Sequence, residues 1–434
     1  MISDLLNLLK SNKKIYAWNV KVVTKDTYEL YFIKQKLDMN REVNTNEYFI
    51  TLYTKEKQNG KEKMGTITFK AFPSMNKDEL ERKINEQIEL SRYTLNEVYT
   101  LPKKSNLKPV SKEVGFSGHS LKEAAFIAAD ALFEADKFDK GYINSSEVFI
   151  GFEETKFFDS NGNVFLYMNE FGKIEFITTW AEKEEEVELY KYFEFDNLDT
   201  NFIQNQANEK LLESSYRIKA SLTPELNNCK VLLTGDYVKT FFMHFAYKVK
   251  NDAVYTHISD YKIGQNLQQN AHKADLLSIH LEPTLKNSTK GRPFDDEGIA
   301  LKRLNIIEKG IIKNFWGSNA VSQYLNKPVF GTYQNVVANA GTLQKEELEE
   351  ENYLEIITLS DFDIDPITGD FGSEIRLAYL YLRNKERMIV TGGSISGNIY
   401  QSLDTVRFSN ETNQLNNFIG PQKILLEKVN INKG

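Results

Sequence analysis

Hydrophobic and polar positions change their period several times along the chain. Trp18–Val23, Tyr28–Lys34, Glu47–Thr54 and Met64–Phe72 are rich in β-branched and aromatic residues, which predicts four strands. Asn76 with Glu79 three residues on forms a capping signature, and Leu80, Ile84 and Ile88 then recur every four residues, so a helix should follow. A second capping signature, Ser120 with Glu123, opens a stripe of Leu121, Ala124, Ala125, Ala128 and Leu132. The pattern returns to strands at Glu147–Phe158, Asn163–Met168 and Lys173–Trp180. Turns are predicted at Asp159–Gly162 and Asn169–Gly172, where a terminal Gly tolerates positive φ. A helix is expected over Phe202–Ser215 and another over Asp236–Lys250, with Val238, Phe241, Phe242, Phe245 and Val249 on one face.

Beyond Asp252 the chain reads mostly as strands. Ile299–Ile307 and Ile311–Phe315 flank a hairpin at Glu308–Gly310. Thr342–Tyr353 reads as a polar helix, and Leu354–Asp363, Arg376–Leu382 and Lys423–Val429 as strands. Pro102, Pro109, Gly115 and Gly118 mark a boundary over Leu101–Gly118, and a second falls near Ser221–Asn228. The fold class is α+β in three parts: an α/β domain over 1–100, an α+β domain over 119–220 and a β-rich domain over 229–434.

Charge narrows the partners. The net charge is −7, and the cluster Lys103, Lys104, Lys108 and Lys112 is diluted by polar residues and Pro, so no basic face for nucleic acid is expected. The acidic run Glu182–Glu188 reads as a solvated stretch. Cys229 stands alone, which excludes an intrachain disulfide and fits a reducing compartment. Met1–Lys10 lacks a basic start and a long apolar core, and no window of about 18 apolar residues occurs; neither a signal peptide nor a membrane span is expected, and the location is read as cytoplasmic.

Candidate chemistry is sparse. His119, His244, His257, His272 and His280 form no pair at metal-ligand helical spacing. Asp361, Asp363 and Asp365 alternate, but Pro366 and Gly372 occupy the places where a calcium loop needs Gly and Glu. Asp295, Asp296 and Glu297 could serve as acid and base, yet a carboxylate-capped turn released by Gly298 accounts for them better.

Three motifs carry a resemblance: GRPFDDEG over 291–298, TGDF over 368–371 and GSISGN over 393–398. In this order and spacing they resemble the TldD/PmbA family, whose older name is modulator of DNA gyrase. The chain is more similar to the PmbA (TldE) branch than to the TldD branch. The resemblance implies a zinc metalloprotease system. It also implies that Phe294, Asp295, Asp296, Glu297, Gly298, Thr368, Gly369, Asp370, Phe371, Gly397 and Asn398 build an interface or cleft wall. TldD-type relatives carry His-Glu-x-x-x-His on the helix that opens the third domain. The matching helix here places Phe241 at the first His, Phe242 at the Glu and Ala246 at the second His, with His244 its one imidazole. The family's late Cys has no counterpart near 392–398. The expectation is therefore a chain with no zinc or other cofactor and no catalytic residue of its own. It would support a TldD-like zinc protease subunit, or pair with itself, and handle peptides or unfolded polypeptides, without nucleic acid or membrane. The alternative is a free-standing homo-oligomeric hydrolase or peptide-binding scaffold without zinc.

Overall fold

The computed structural model describes residues 2–105, 116, 118–271, 273–348, 352–383 and 386–434. Helices and strands mix as expected for an α+β protein. The first half is built on one seven-stranded antiparallel sheet of order β4-β3-β2-β1-β5-β6-β7. Its strands are β1 (Ala17–Ile33), β2 (Lys36–Gln58), β3 (Lys61–Ala71), β4 (Leu95–Glu97), β5 (Gly141–Asp159), β6 (Val164–Glu182) and β7 (Glu185–Phe195). The pairing runs straight across the expected boundary over 101–118, because β1 bonds β2 on one side and β5 on the other. Most of that boundary stretch, including Lys108 and Lys112, lies outside the described residues.

Alternation along β1 gives the sheet two unlike faces. Trp18, Val20 and Val22 pack with α1 (Ile2–Ser11) and α2 (Lys77–Leu90). Tyr28, Leu30 and Phe32 share the same parity and pack with α3 (Leu121–Phe133) and α4 (Thr200–Arg217). Both predicted capping boxes form, at Asn76/Glu79 and Ser120/Glu123. The odd positions lie on the other face, where Lys21 pairs with Asp296 and Lys25 lines a cleft shared with C-terminal residues.

Two expectations fail in this half. The two strands predicted over 18–34 are one, since the residues between them keep the period. The turn expected at Asn169–Gly172 is strand interior: β6 continues through it, and the ring of Phe195 covers Gly172, where a Cβ would sit 2.2 Å away. Glycine there admits a neighbour's ring rather than a chain reversal.

The C-terminal domain holds α5 (Asp236–Lys248) between two sheets. One is six-stranded, built around Ile279–Glu282, Asn335–Ala338 and Phe418–Pro421. In the other, Leu226–Thr234, Lys423–Asn432, Ser394–Asn398, Asp370–Tyr381 and Tyr353–Leu359 pair in sequence, and the last bonds both Asp370–Tyr381 and Leu226–Thr234. The strands thus close a ring, which leaves these five no free edge between them. Two short helices follow α5: α6 (Asn251–Tyr255) and α7 (Asn319–Tyr324). The strand expected over Ile299–Ile307 is confined to Leu304–Glu308, because residues 291–301 are taken up by turns against the first sheet. Its partner is cut to Ile311–Ile312, and the strand from Leu354 ends at Leu359. Of the helix expected over Thr342–Tyr353, one turn forms at Lys345–Leu348; residues 349–351 are outside the described ones, and Tyr353 already belongs to a strand.

Candidate functional site

The 291–298 motif is where the C-terminal domain meets the sheet. Asp295 is 1% exposed. Its Oδ1 accepts the backbone N–H groups of Glu297 and Ile299 at 2.9 Å, and its Oδ2 accepts that of Thr332 at 3.0 Å. This carboxylate-organised turn reverses at Gly298, whose φ is +82°, and a Cβ on Gly298 would lie 2.6 Å from the Phe157 ring. Phe294 stands 4.9 Å from the Phe165 ring and 5.3 Å from that of Tyr167. Asp296 accepts Lys21 Nζ from β1 at 2.9 Å and Arg292 Nη1 at 3.2 Å. Glu297 Oε1 accepts the Asn319 N–H at the start of α7 at 2.9 Å. Burial pushes Glu297 up to about 7; the Asn319 N–H opposes the rise, and Asp295, Asp252 and Asp296 add to it.

The other two motifs meet each other instead. Phe371 is paired with Gly397, and Asp370 with Asn398. Asn398 Nδ2 donates to the Thr368 carbonyl at 2.8 Å and to Asp370 at 2.7 Å, while its Oδ1 accepts the Tyr400 N–H at 3.0 Å and caps the one-turn helix Ile399–Ser402. Gly369 lies under the Tyr400 ring. Asp365 accepts the N–H groups of Ile367 and Thr368, so the calcium-like carboxylate serves its own turn.

α5 runs between these two places and turns a different face to each neighbour. Phe241 and Phe242 are fully buried, and Phe242 sits 5.1 Å from the Phe408 ring and 5.6 Å from that of Phe418. His244 Nε2 shares a 2.9 Å hydrogen bond with the Tyr400 hydroxyl; burial, with Lys248 nearby, holds the imidazole down to about 4, so it is neutral at pH 7. Met243, Ala246, Tyr247 and the following Lys250 line a cleft of roughly 610 Å³. Its opposite wall is the helix-free face of the sheet, with Lys25, Tyr167, Phe171 and Lys173; Lys290, Gly291, Arg292 and Trp316 complete it. Of the expected zinc-helix positions, Ala246 alone lines this cleft. Among the described residues, no three of His, Cys, Asp and Glu converge as a metal-binding group. Cys229 is buried on its strand, and burial raises its thiol pKa. His272 lies outside the described residues.

Residues 227–433 match the family described as PmbA/TldA metallopeptidase C-terminal domain. A curated relative, the metalloprotease PmbA homolog of Buchnera aphidicola subsp. Acyrthosiphon pisum (strain APS), is 22% identical over 99% of this chain and 96% of its own length. The C-terminal domain of this chain belongs to the TldD/PmbA family. Its fold is that of TldE from Thermococcus kodakarensis, with a TM-score of 0.76 at 13% identity over 99% of this chain and 100% of the other. A Thermotoga maritima MSB8 protein described as a candidate modulator of a DNA gyrase gives a TM-score of 0.79 at 17% identity, over 99% and 98%. Through that TldD/PmbA domain the chain is metallopeptidase-related. No helix among its described residues is long and apolar enough to cross a membrane.

The sequence reading did not find the cleft's cations. They come from β1, β6, the α5–α6 junction and the segment entering the first motif. Their only sequence signal is weak: Lys25 and Lys173 occupy the parity opposite to Tyr28, Leu30, Ile174 and Phe176, which pack under the helices.

Proposed function

We propose that this chain is a non-catalytic, TldE-like subunit of a cytoplasmic metalloprotease system. It would bind peptides or unfolded polypeptides in the cleft beside α5 and leave zinc chemistry to a TldD-type partner. One observation carries the reading. The helix that bears zinc ligands in TldD-type relatives here turns Phe241 and Phe242 into the core, and its one imidazole, His244, is tied to Tyr400. The side chains present do not fit a zinc site: a phenyl ring can neither ligate zinc nor accept a proton, and Met243, Tyr247 and Lys250 leave no imidazole or carboxylate of α5 on the cleft. The cleft itself supports a binding role, because aromatic rings and hydrogen-bonding groups line it together.

The test is reconstitution. The purified chain should hydrolyse no peptide alone and contain no stoichiometric zinc. Mixed with a family member carrying His-Glu-x-x-x-His, it should co-elute, and chelator-sensitive hydrolysis should exceed that of the partner by itself. His244→Ala should leave that activity in place. Chelator-sensitive hydrolysis by the lone chain, lost in His244→Ala, would overturn the proposal.

A further inference from the structure

The cleft concentrates positive charge that the chain as a whole lacks. Lys25, Lys173, Lys250, Lys290 and Arg292 line it against one acid, Glu153, in a chain of net charge −7. Three carboxylates outside the lining offset part of this. Glu194 lies 3.0 Å from Lys290 and 3.7 Å from Lys173, Asp296 lies 3.2 Å from Arg292, and Asp252 lies 3.7 Å from Lys250. Glu194 is thus divided between two lysines and also accepts the hydroxyls of Tyr192 and Thr289. Lys25 stands apart. Among the described residues no carboxylate lies within ion-pair reach of it, and its ammonium rests 4.9 Å from the centre of the Phe171 ring. Lys173 lies 5.3 Å from the centre of the same ring.

Two ammonium groups gathered at one phenyl ring repel each other, and water screens them less inside a cleft than on an open surface. The Lys173 proton is loosened accordingly: burial acts first, Glu194 resists, and Lys290 and Lys25 add to the loosening. An arriving carboxylate would relieve this repulsion. A second hollow of roughly 350 Å³ shares Lys25, Phe171 and Lys173 with the cleft, so the two ammonium groups sit where the hollows join. An extended chain running along the sheet face would pass over them.

Resting on the peptide-binding reading above, we infer that the cleft selects polypeptide segments that carry carboxylates. Lys25 and Lys173 would receive a side-chain or terminal carboxylate, and Tyr167, Phe171 and Trp316 would pack the apolar groups beside it. Nucleic acid, the rival polyanion, has backbone charge on every unit and is disfavoured by the net negative charge of the rest of the chain.

Fluorescence anisotropy of the full chain decides this with three unstructured peptides matched in length and aromatic content, one acidic, one neutral and one basic. The acidic peptide should bind about tenfold more tightly than the neutral one, a gap that narrows at high salt. Lys25→Glu should reverse the order in favour of the basic peptide. Lys25→Gln, the gentler change, should cut the acidic preference by several-fold if the reversed charge disturbs folding. Equal affinity for acidic and neutral peptides would overturn the inference and leave the peptide-binding reading standing. Failure to bind any of the three would remove both. Tighter binding of a single-stranded oligonucleotide than of an acidic peptide of equal charge would also overturn it.

Discussion

α5 has two sides that share a backbone and little else. On one, Phe241, Phe242 and Phe245 are fully buried among rings supplied by the six-stranded sheet and the 407–408 strand. On the other, Met243 and Tyr247 meet the cleft, with Lys250 just beyond the helix end, and Tyr247 is 38% exposed. On the proposal above, the helix packs the domain on its buried side and forms a wall for recognition on its open side.

The largest effect that could break this comparison is on the buried side. Phe242→Ala should cost about 3–5 kcal/mol, since it empties a site enclosed on every side. Chemical denaturation measures it, and a loss below about 1 kcal/mol would deny the core face its role. Asp295→Ala should come next, at about 1–3 kcal/mol, because three backbone N–H groups lose their acceptor in a turn closed to water.

Glu297 sharpens the comparison through pH. It ordinarily releases its proton near 4.5 but holds it to about 7 in the fold. Between those values the folded state keeps a proton that the unfolded chain has lost, so this group's contribution to stability falls as pH rises through the window. Glu297→Gln keeps an acceptor for the Asn319 N–H and should flatten that fall, read as melting temperature against pH. An unchanged slope would place the titration elsewhere. The smallest effect belongs to the open side: Tyr247→Ala should change stability by about 0.5–1 kcal/mol, while peptide affinity, measured by anisotropy, should weaken. If it costs as much as Phe242→Ala, the two sides of α5 are not distinct.

Much of the fold was legible because its signals are local. The capping boxes at Asn76 and Ser120 and the apolar stripe of α5 each act within a few residues. Gly172 misled because a glycine that admits Phe195 looks, in sequence, like one that ends a strand. The 291–298 motif was readable as a turn from Asp295 and Gly298. Its latch onto the sheet was not, since Lys21 is 275 positions away from Asp296. The cleft was hidden for the same reason: its cations arrive from segments that touch only after folding.

The strand order of the first sheet carries a consequence for synthesis. β1 leaves the ribosome before β2 and β5, and β2 can cover one of its edges within a few dozen residues. Its other edge, Asn19–Ile33, waits for Ser145–Asp159. Until more than a hundred further residues have emerged, the nascent chain displays a long open strand flank to whatever is near. Deleting residues 1–100 would remove β1–β4, four of the seven strands, and leave β5 with a raw flank of its own.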